Sequence, residues 1–298
     1  MSRIEEALKR SQAGDAKAPV SQAPAEAGPD SNADAPGAQM FKAAWSVTDG
    51  RTEGAPHTLT PPHGTDGAEP PGLIRFSSQW RERLAGGPNA DVGLTEQFRR
   101  LAATLHHARL GGGLRDVMIT SASPGDGKTL TAVNLALVLA ESYNYRVLLI
   151  DADLRRPSIP NVSTISDGCG LSEALTSATE QRLALVPITS RLTLLPAGRP
   201  ISNSIEALTS PRMRQILDEA NRRFDWVILD APPVGAATDA RLLSQMVGGT
   251  LFVIHAGKTQ LPDVHKSIDG LGRAQVLGVV LNGVEDSGAP AYYYGVRE

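Results

Sequence analysis

The stretch ASPGDGKT at residues 122–129 places two glycines, a proline and a lysine directly between an apolar run and an Ala/Leu-rich segment. Gly125 and Gly127 free the backbone to curl so that successive N–H groups face inward, a concavity suited to an anion. A helix beginning near Lys128 would point the positive end of its dipole at the same spot. The spacing is that of a phosphate loop with Ala122 in the place of the usual first glycine. In that arrangement Gly125, Asp126, Gly127, Lys128, Thr129 and Leu130 line the nucleotide's phosphates, Lys128 reaches the β- and γ-phosphates, and the Thr129 hydroxyl ligates Mg2+. A plain Gly-rich turn is the competing reading, and the strand before and helix after argue for the cradle.

Two other apolar runs end in acid. LLIDADLRRP (148–157) carries Asp151 and Asp153, two residues apart and so directed to one side, and VILDAPP (227–233) carries Asp230. A strand-end aspartate by itself often caps a turn. Carboxylates beside a polyphosphate repel it unless a divalent cation lies between them, and Mg2+ makes the set coherent. Asp151 and Asp230 then join Thr129 as magnesium partners, Asp230 through water. Lys128, Asp151, Asp153 and Asp230 together point to nucleotide hydrolysis or phosphoryl transfer.

These residues need a scaffold that brings distant strand ends together. Short β-branched apolar runs recur at 116–122, 146–152, 192–198, 225–231, 250–256 and 276–282, with helical patterns such as TAVNLALVLAESY, SPRMRQILDEANRRF and DARLLSQMVG between most of them. Near-continuous apolar strands separated by helices predict an α/β fold: a mostly parallel central sheet of the P-loop NTPase kind with helices on both faces. Ligands in such sheets bind beyond the carboxyl ends of the strands, where the loop and the acids fall.

The 298 residues divide unevenly. A short N-terminal helix is expected at 1–12, an Ala/Pro/Gly-rich disordered linker at 13–90, the catalytic domain at 91–286, and a flexible tyrosine-bearing tail at 287–298. MFKAAWSV (40–47) is the one aromatic-bearing patch within residues 13–72, and it and the N-terminal helix read as docking peptides or as idle stubs. No apolar run approaches the ~20 residues of a membrane span, and the N-terminus lacks an apolar signal core. The single Cys169 fits a reducing compartment, so a cytoplasmic protein is expected. A formal net charge of -3 predicts no nucleic-acid partner. His106 and His107 are helix neighbours that do not converge on a metal, and His255 after an apolar strand reads as structural.

In combination, ASPGDGKT, LLIDADLR and VILDAPP resemble the bacterial tyrosine kinases of capsule and exopolysaccharide loci. The likeness runs from about Leu94 to the end and includes GLSEAL, LTLLPAGRPISNSIEALTSPRM and the tail AYYYGVRE. It implies an ATP- and Mg2+-dependent autokinase in which Asp151 or Asp153 orients or deprotonates the acceptor hydroxyl and the other stands near the metal. The implied acceptors are Tyr292, Tyr293 and Tyr294, with Arg155 either on the acceptor side or merely facing solvent. Asn282 in VVLNGV sits where related ATPases hold the adenine edge, followed here by Gly283 where the family usually has arginine.

The family's partners would be the cytoplasmic segment of a membrane polysaccharide co-polymerase or chain-length protein, placing the chain at the inner face of the membrane, and a counteracting tyrosine phosphatase. The family also forms rings through a helix of the form E-x-x-R-x-x-R. Glu96 and Arg99 match, but Ala102 stands at the last position, which leaves either other contacts or no ring. The alternative is a non-kinase ATPase switch of the partition and division-site type. That group shares the fold but resembles itself in an early loop lysine, where this chain has Ser123.

Overall fold

The computed structural model describes residues 45–47 (backbone only), 78–85, 90–157, 159, 170–179, 182–235 and 238–284. The expected N-terminal helix, the tail with Tyr292, Tyr293 and Tyr294, and Cys169 lie outside the described residues. Each apolar run becomes a strand at its expected place: β2 (Asp116–Ser121), β3 (Val147–Asp151), β5 (Leu192–Leu195), β6 (Trp226–Asp230), β7 (Thr250–His255) and β8 (Val276–Asn282). Two strands were not expected, β1 (Trp45–Val47) and β4 (Leu183–Pro187).

The spatial order is β1-β4-β5-β3-β6-β2-β7-β8. Strands β5, β3, β6, β2, β7 and β8 run parallel, β4 is antiparallel to β5, and the three-residue β1 lies parallel to β4 at the edge. Seven strands thus form a mostly parallel sheet with one short addition. The antiparallel β4–β5 hairpin requires no crossover helix, which is why no helical pattern separates those two runs.

Helices cover both faces. Side chains that alternate along each strand feed two cores, Val117 and Ile119 to one side and Met118 to the other. The first core takes α2 (Val92–Gly112) and α3 (Lys128–Glu141). The second takes α4 (Leu171–Thr176), α5 (Ser204–Thr209), α6 (Pro211–Arg223), α7 (Asp239–Ser244) and α8 (Leu261–Leu271). Helix α6 shows how local sequence sets an element. Ser210 caps it by accepting from the Met213 N–H, Pro211 occupies the first turn, and Met213, Ile216, Leu217 and Ala220 form one buried stripe.

Helix α3 is buried along its whole middle, including the polar Asn134. That buried amide needs partners, and a segment expected as linker supplies them. Residues Ser78–Arg81 form a helical turn, α1, after which the Asn134 Nδ2 donates to the Arg83 carbonyl (3.0 Å) and Oδ1 accepts from the Ala85 N–H (2.6 Å). Leu84 is only 1% exposed there, a burial that contributes about 2 kcal/mol. Residues 78–85 therefore pack onto the folded unit, a departure from a linker reaching residue 90. The i, i+4 pair of Trp80 and Leu84 is too short a pattern to separate from its Gly/Pro surroundings in sequence.

Candidate nucleotide and phosphoryl-transfer site

Strand β2 ends at Ser121, and the chain then enters the glycine turn. The segment after β6 clamps its start: Thr120 Oγ1 donates to the Pro232 carbonyl (2.7 Å), and the Val234 N–H donates to the Ser121 carbonyl (2.9 Å). Gly125 (φ +84°) and Gly127 (φ +95°) take the left-handed conformations the sequence required, and Gly127 caps α3. Asp126 is almost fully buried and braces the loop with its side chain, accepting from the Ser123 N–H (2.9 Å) and from Thr259 Oγ1 (2.9 Å). Asn282, the last residue of β8, donates from Nδ2 to the Asp126 carbonyl (3.0 Å). Its amide nitrogen thus supports the loop backbone, a role the sequence did not suggest.

The carboxylates arrive by register. Asp151 ends β3 and Asp230 ends β6, and the two are directly paired across the parallel ladder. Between them and the loop stands Lys128, whose Nζ lies 3.5 Å from Asp153 Oδ2, 3.6 Å from Asp230 Oδ1 and 3.4 Å from Thr129 Oγ1. Burial opposes charge on this ammonium, but Asp230, Asp153 and Asp151 outweigh it and hold its pKa above the usual lysine value. Asp151 also organises its own loop, accepting from the backbone N–H groups of Asp153 and Ile159 (both 3.2 Å), and Asp153 Oδ1 accepts from the Arg156 N–H (3.0 Å). Lys128, Asp151, Asp153, Asp230, Thr129 and the glycine turn are thus brought into one cluster. Leu130, half-buried, begins the next turn of α3.

The donor set fits Mg2+. Thr129 Oγ1, Asp153 Oδ2 and Asp230 Oδ1 are hard oxygens that already surround one cation, the Lys128 ammonium. Among the described residues no three His, Cys, Asp or Glu side chains form a ready-made cage.

Burial, followed by the repulsion of Asp230, pushes Asp151 up to about 7, against the opposing pull of the Ile159 and Asp153 amides and Lys128. Its unfolded pKa is ~3.9. The folded state thus holds an extra proton between the two values, so the nucleotide-free protein should lose stability as pH rises from about 4 to about 7. A cation coordinated by Asp151 would require the carboxylate. Titration with Mg-ADP at pH 6 should therefore release a proton, seen as a calorimetric heat that varies with buffer ionisation enthalpy, and the release should vanish near pH 8.5 and in Asp151→Asn. Buffer-independent heat at pH 6 would remove this assignment.

Other expected residues fall elsewhere. Arg155 Nε donates to Asp239 Oδ2 (2.9 Å), and the same fully buried oxygen accepts from Ser204 Oγ (2.6 Å). That bond ties the β3 loop to the starts of α5 and α7, so Arg155 serves as an anchor of the site's rim. Glu96 lies 3.9 Å from Arg99 and 3.8 Å from Arg100 on the exposed side of α2, while Ala102 is fully buried. A side chain at 102 cannot reach a neighbouring subunit. His106 Nδ1 meets the Tyr145 hydroxyl (2.7 Å) and His255 Nδ1 its neighbour's carbonyl at Ala256 (2.9 Å), both within the fold as expected. Thr259, which clamps Asp126, was missed. Its signal was present in AGKT directly after β7, at a strand end like the others.

Beside the loop, a groove of about 660 Å³ opens between Ser123 and Pro124 on one side and Thr238, Arg241 and Lys266 on the other. No helix of the described residues is long and apolar enough to cross a membrane.

Comparison with known proteins agrees with this geometry. The ParA family, described as NUBPL iron-transfer P-loop NTPase, matches residues 114–285. The tyrosine-protein kinase YwqD of Bacillus subtilis is 35% identical over 208 residues, covering 68% of this chain and 87% of that protein. The tyrosine-protein kinase etk of Escherichia coli K12 is 36% identical over 227 residues, 74% of this chain, which spans only 31% of that longer relative. Among solved structures, the kinase domain of the Escherichia coli tyrosine kinase ETK superposes with a TM-score of 0.60 at 37% identity, covering 67% of this chain and 79% of that one. Identity of this extent to tyrosine-protein kinases, together with the ParA match and a phosphate loop beside the strand-end carboxylates Asp151 and Asp230, places the chain in the bacterial tyrosine-kinase family of ParA-type P-loop NTPases.

Proposed function

We propose that this kinase uses ATP and Mg2+ to phosphorylate Tyr292, Tyr293 and Tyr294 of its own C-terminal segment, or of a neighbouring copy's. The observation that carries the reading is the Lys128 ammonium, held by Asp153 and Asp230 at the glycine turn (3.5 and 3.6 Å) where the γ-phosphate would lie. Bound Mg2+, held by Thr129, Asp230 and whichever of Asp151 and Asp153 does not serve the acceptor, would supply further positive charge to the phosphates. Phosphoryl transfer needs positioning and charge neutralisation more than covalent chemistry. The loop amides hold the β-phosphate, Lys128 draws charge from the γ-phosphoryl, and a carboxylate of Asp151 or Asp153 accepts the phenolic proton. The tyrosine O–P bond forms as the bond to the β-phosphate oxygen breaks, and ADP leaves.

Strand β8 ends in contact with the loop through Asn282, and Tyr292 follows ten residues later. That length spans at most ~35 Å, which suffices for a neighbour's site as well as its own. The groove lined by Arg241 and Lys266 offers an approach for such a segment. By extension from its relatives, the kinase would act in exopolysaccharide or capsule synthesis. The cytoplasmic segment of a membrane polysaccharide co-polymerase would activate it at the inner membrane face, and a tyrosine phosphatase would oppose it.

The test is incubation with labelled ATP and the activating segment. The native chain should gain phosphotyrosine, and the variant with Tyr292, Tyr293 and Tyr294 changed to Phe should lose nearly all of it. Inorganic phosphate release without phosphotyrosine would instead mark a nucleotide switch of the partition type, and unchanged labelling of the Phe variant would place the acceptor elsewhere.

A further inference from the structure

The turn after β7 packs against the glycine turn from the side opposite the carboxylates. The Lys258 N–H donates to the His255 carbonyl (3.2 Å), the His255 N–H to Thr259 Oγ1 (2.9 Å), and Thr259 Oγ1 to Asp126 Oδ1 (2.9 Å). This bonded turn sets the Lys258 backbone beside the loop, and its side chain reaches over it: a Cβ placed on Gly125 would stand 3.3 Å from Lys258 Nζ. Lys128 is enclosed by carboxylates, whereas among the described residues no hydrogen bond or ion pair holds the exposed Lys258 ammonium. A cation that stands beside a phosphate-binding turn with no protein counter-charge is suited to an anionic ligand.

Sheet order says which part of the ligand. Strand β2, which leads into the loop, has β6 and β3 on one flank and β7 and β8 on the other. Asp151, Asp153 and Asp230 belong to the first flank, and Lys258, Thr259 and Asn282 to the second. A triphosphate lying along the loop with its γ end at the carboxylates directs its α-phosphate and ribose toward Lys258. We propose that Lys258 is a second nucleotide-binding cation, one that grips the α/β-phosphate end and thereby serves ADP and ATP alike. The proposal rests on the nucleotide-binding part of the proposed function and on no property of the acceptor tyrosines.

Isothermal titration of Mg-ADP and of Mg plus a non-hydrolysable ATP analogue into the full chain tests it. Lys258→Ala should weaken both ligands about tenfold, the loss of one charge-assisted contact, and should flatten the dependence of affinity on salt. Lys258→Arg should restore most of the affinity, and the nucleotide-free Tm should match that of the native chain. Three results would overturn the assignment. They are unchanged ADP affinity in Lys258→Ala, a loss confined to the triphosphate, or a loss accompanied by a lowered Tm that arginine does not rescue. Because ADP binding needs no acceptor, the outcome is independent of whether the tyrosines are phosphorylated.

Discussion

Lys128→Met should reduce both ATP turnover and tyrosine phosphorylation by at least about a hundredfold, the scale of removing one preorganised charge-stabilising donor. Methionine keeps much of the lysine stem, so packing against α3 changes little and the effect reports on charge. The same substitution strips the counter-charge from a buried acidic set in which Asp151 is 2% exposed, Asp153 5% and Asp230 0%. Asp151 already sits near pKa 7 with Lys128 pulling it down, and without that pull it rises further. Asp151 should therefore keep its proton to higher pH in the variant than in the native chain. The variant's stability should fall short of native by about 3 kcal/mol at pH 8, the cost of breaking a buried ion pair, and by less at pH 5.5, where Asp151 carries its proton and no longer needs the counter-charge. Chemical denaturation at the two pH values, beside single-turnover phosphorylation, checks both halves. Turnover within a few-fold of native would show that Lys128 does not face the transferred group.

The parts of this site visible in sequence are those that sit at the ends of apolar runs. Asp151 and Asp230 each close a run whose every member is buried, so the change from apolar to acidic marks both the strand's end and the sheet edge where ligands collect. The glycine turn is visible because its φ values exclude other residues. What stayed hidden depends on long-range pairing. Asp239 gave no sign that it would receive Arg155 and Ser204 from 84 and 35 residues away. Asn134 looked like one polar residue in an apolar helix, and only the packed structure shows it holding the segment ending at Ala85. Strand β4 went unread because it pairs antiparallel with a partner only a few residues on, outside the alternation of strands and helices. Ala102 illustrates the reverse case. A family pattern asked for arginine there, while the packing of α2 on α3 admits only a small apolar side chain.

Gly127→Ala should cripple nucleotide binding, and for two separable reasons. At φ +95° an L residue is strained, worth about 1–3 kcal/mol. The added methyl would also run into the Asn282 amide, the group that supports the Asp126 carbonyl. To admit it the Asn282 side chain must swing off the Asp126 carbonyl, and the loop that loses this support misdirects the amides that would hold the β-phosphate. Mg-ADP affinity should fall by roughly a hundredfold or more, the effect expected when a preorganised constellation shifts by about 1 Å. Gly113 provides the control. It caps α2 at φ +71° with nothing within 4 Å of the Cβ position, so Gly113→Ala carries strain without collision. That variant should lose about 1 kcal/mol of stability and keep its nucleotide affinity. Adding Asn282→Ala to Gly127→Ala removes the collision but leaves the strain, so the double variant should recover part of the stability lost by Gly127→Ala alone. A double-mutant cycle showing strict additivity would mean that Asn282 and Gly127 do not meet, and the loop would then owe its shape to the glycine conformation alone.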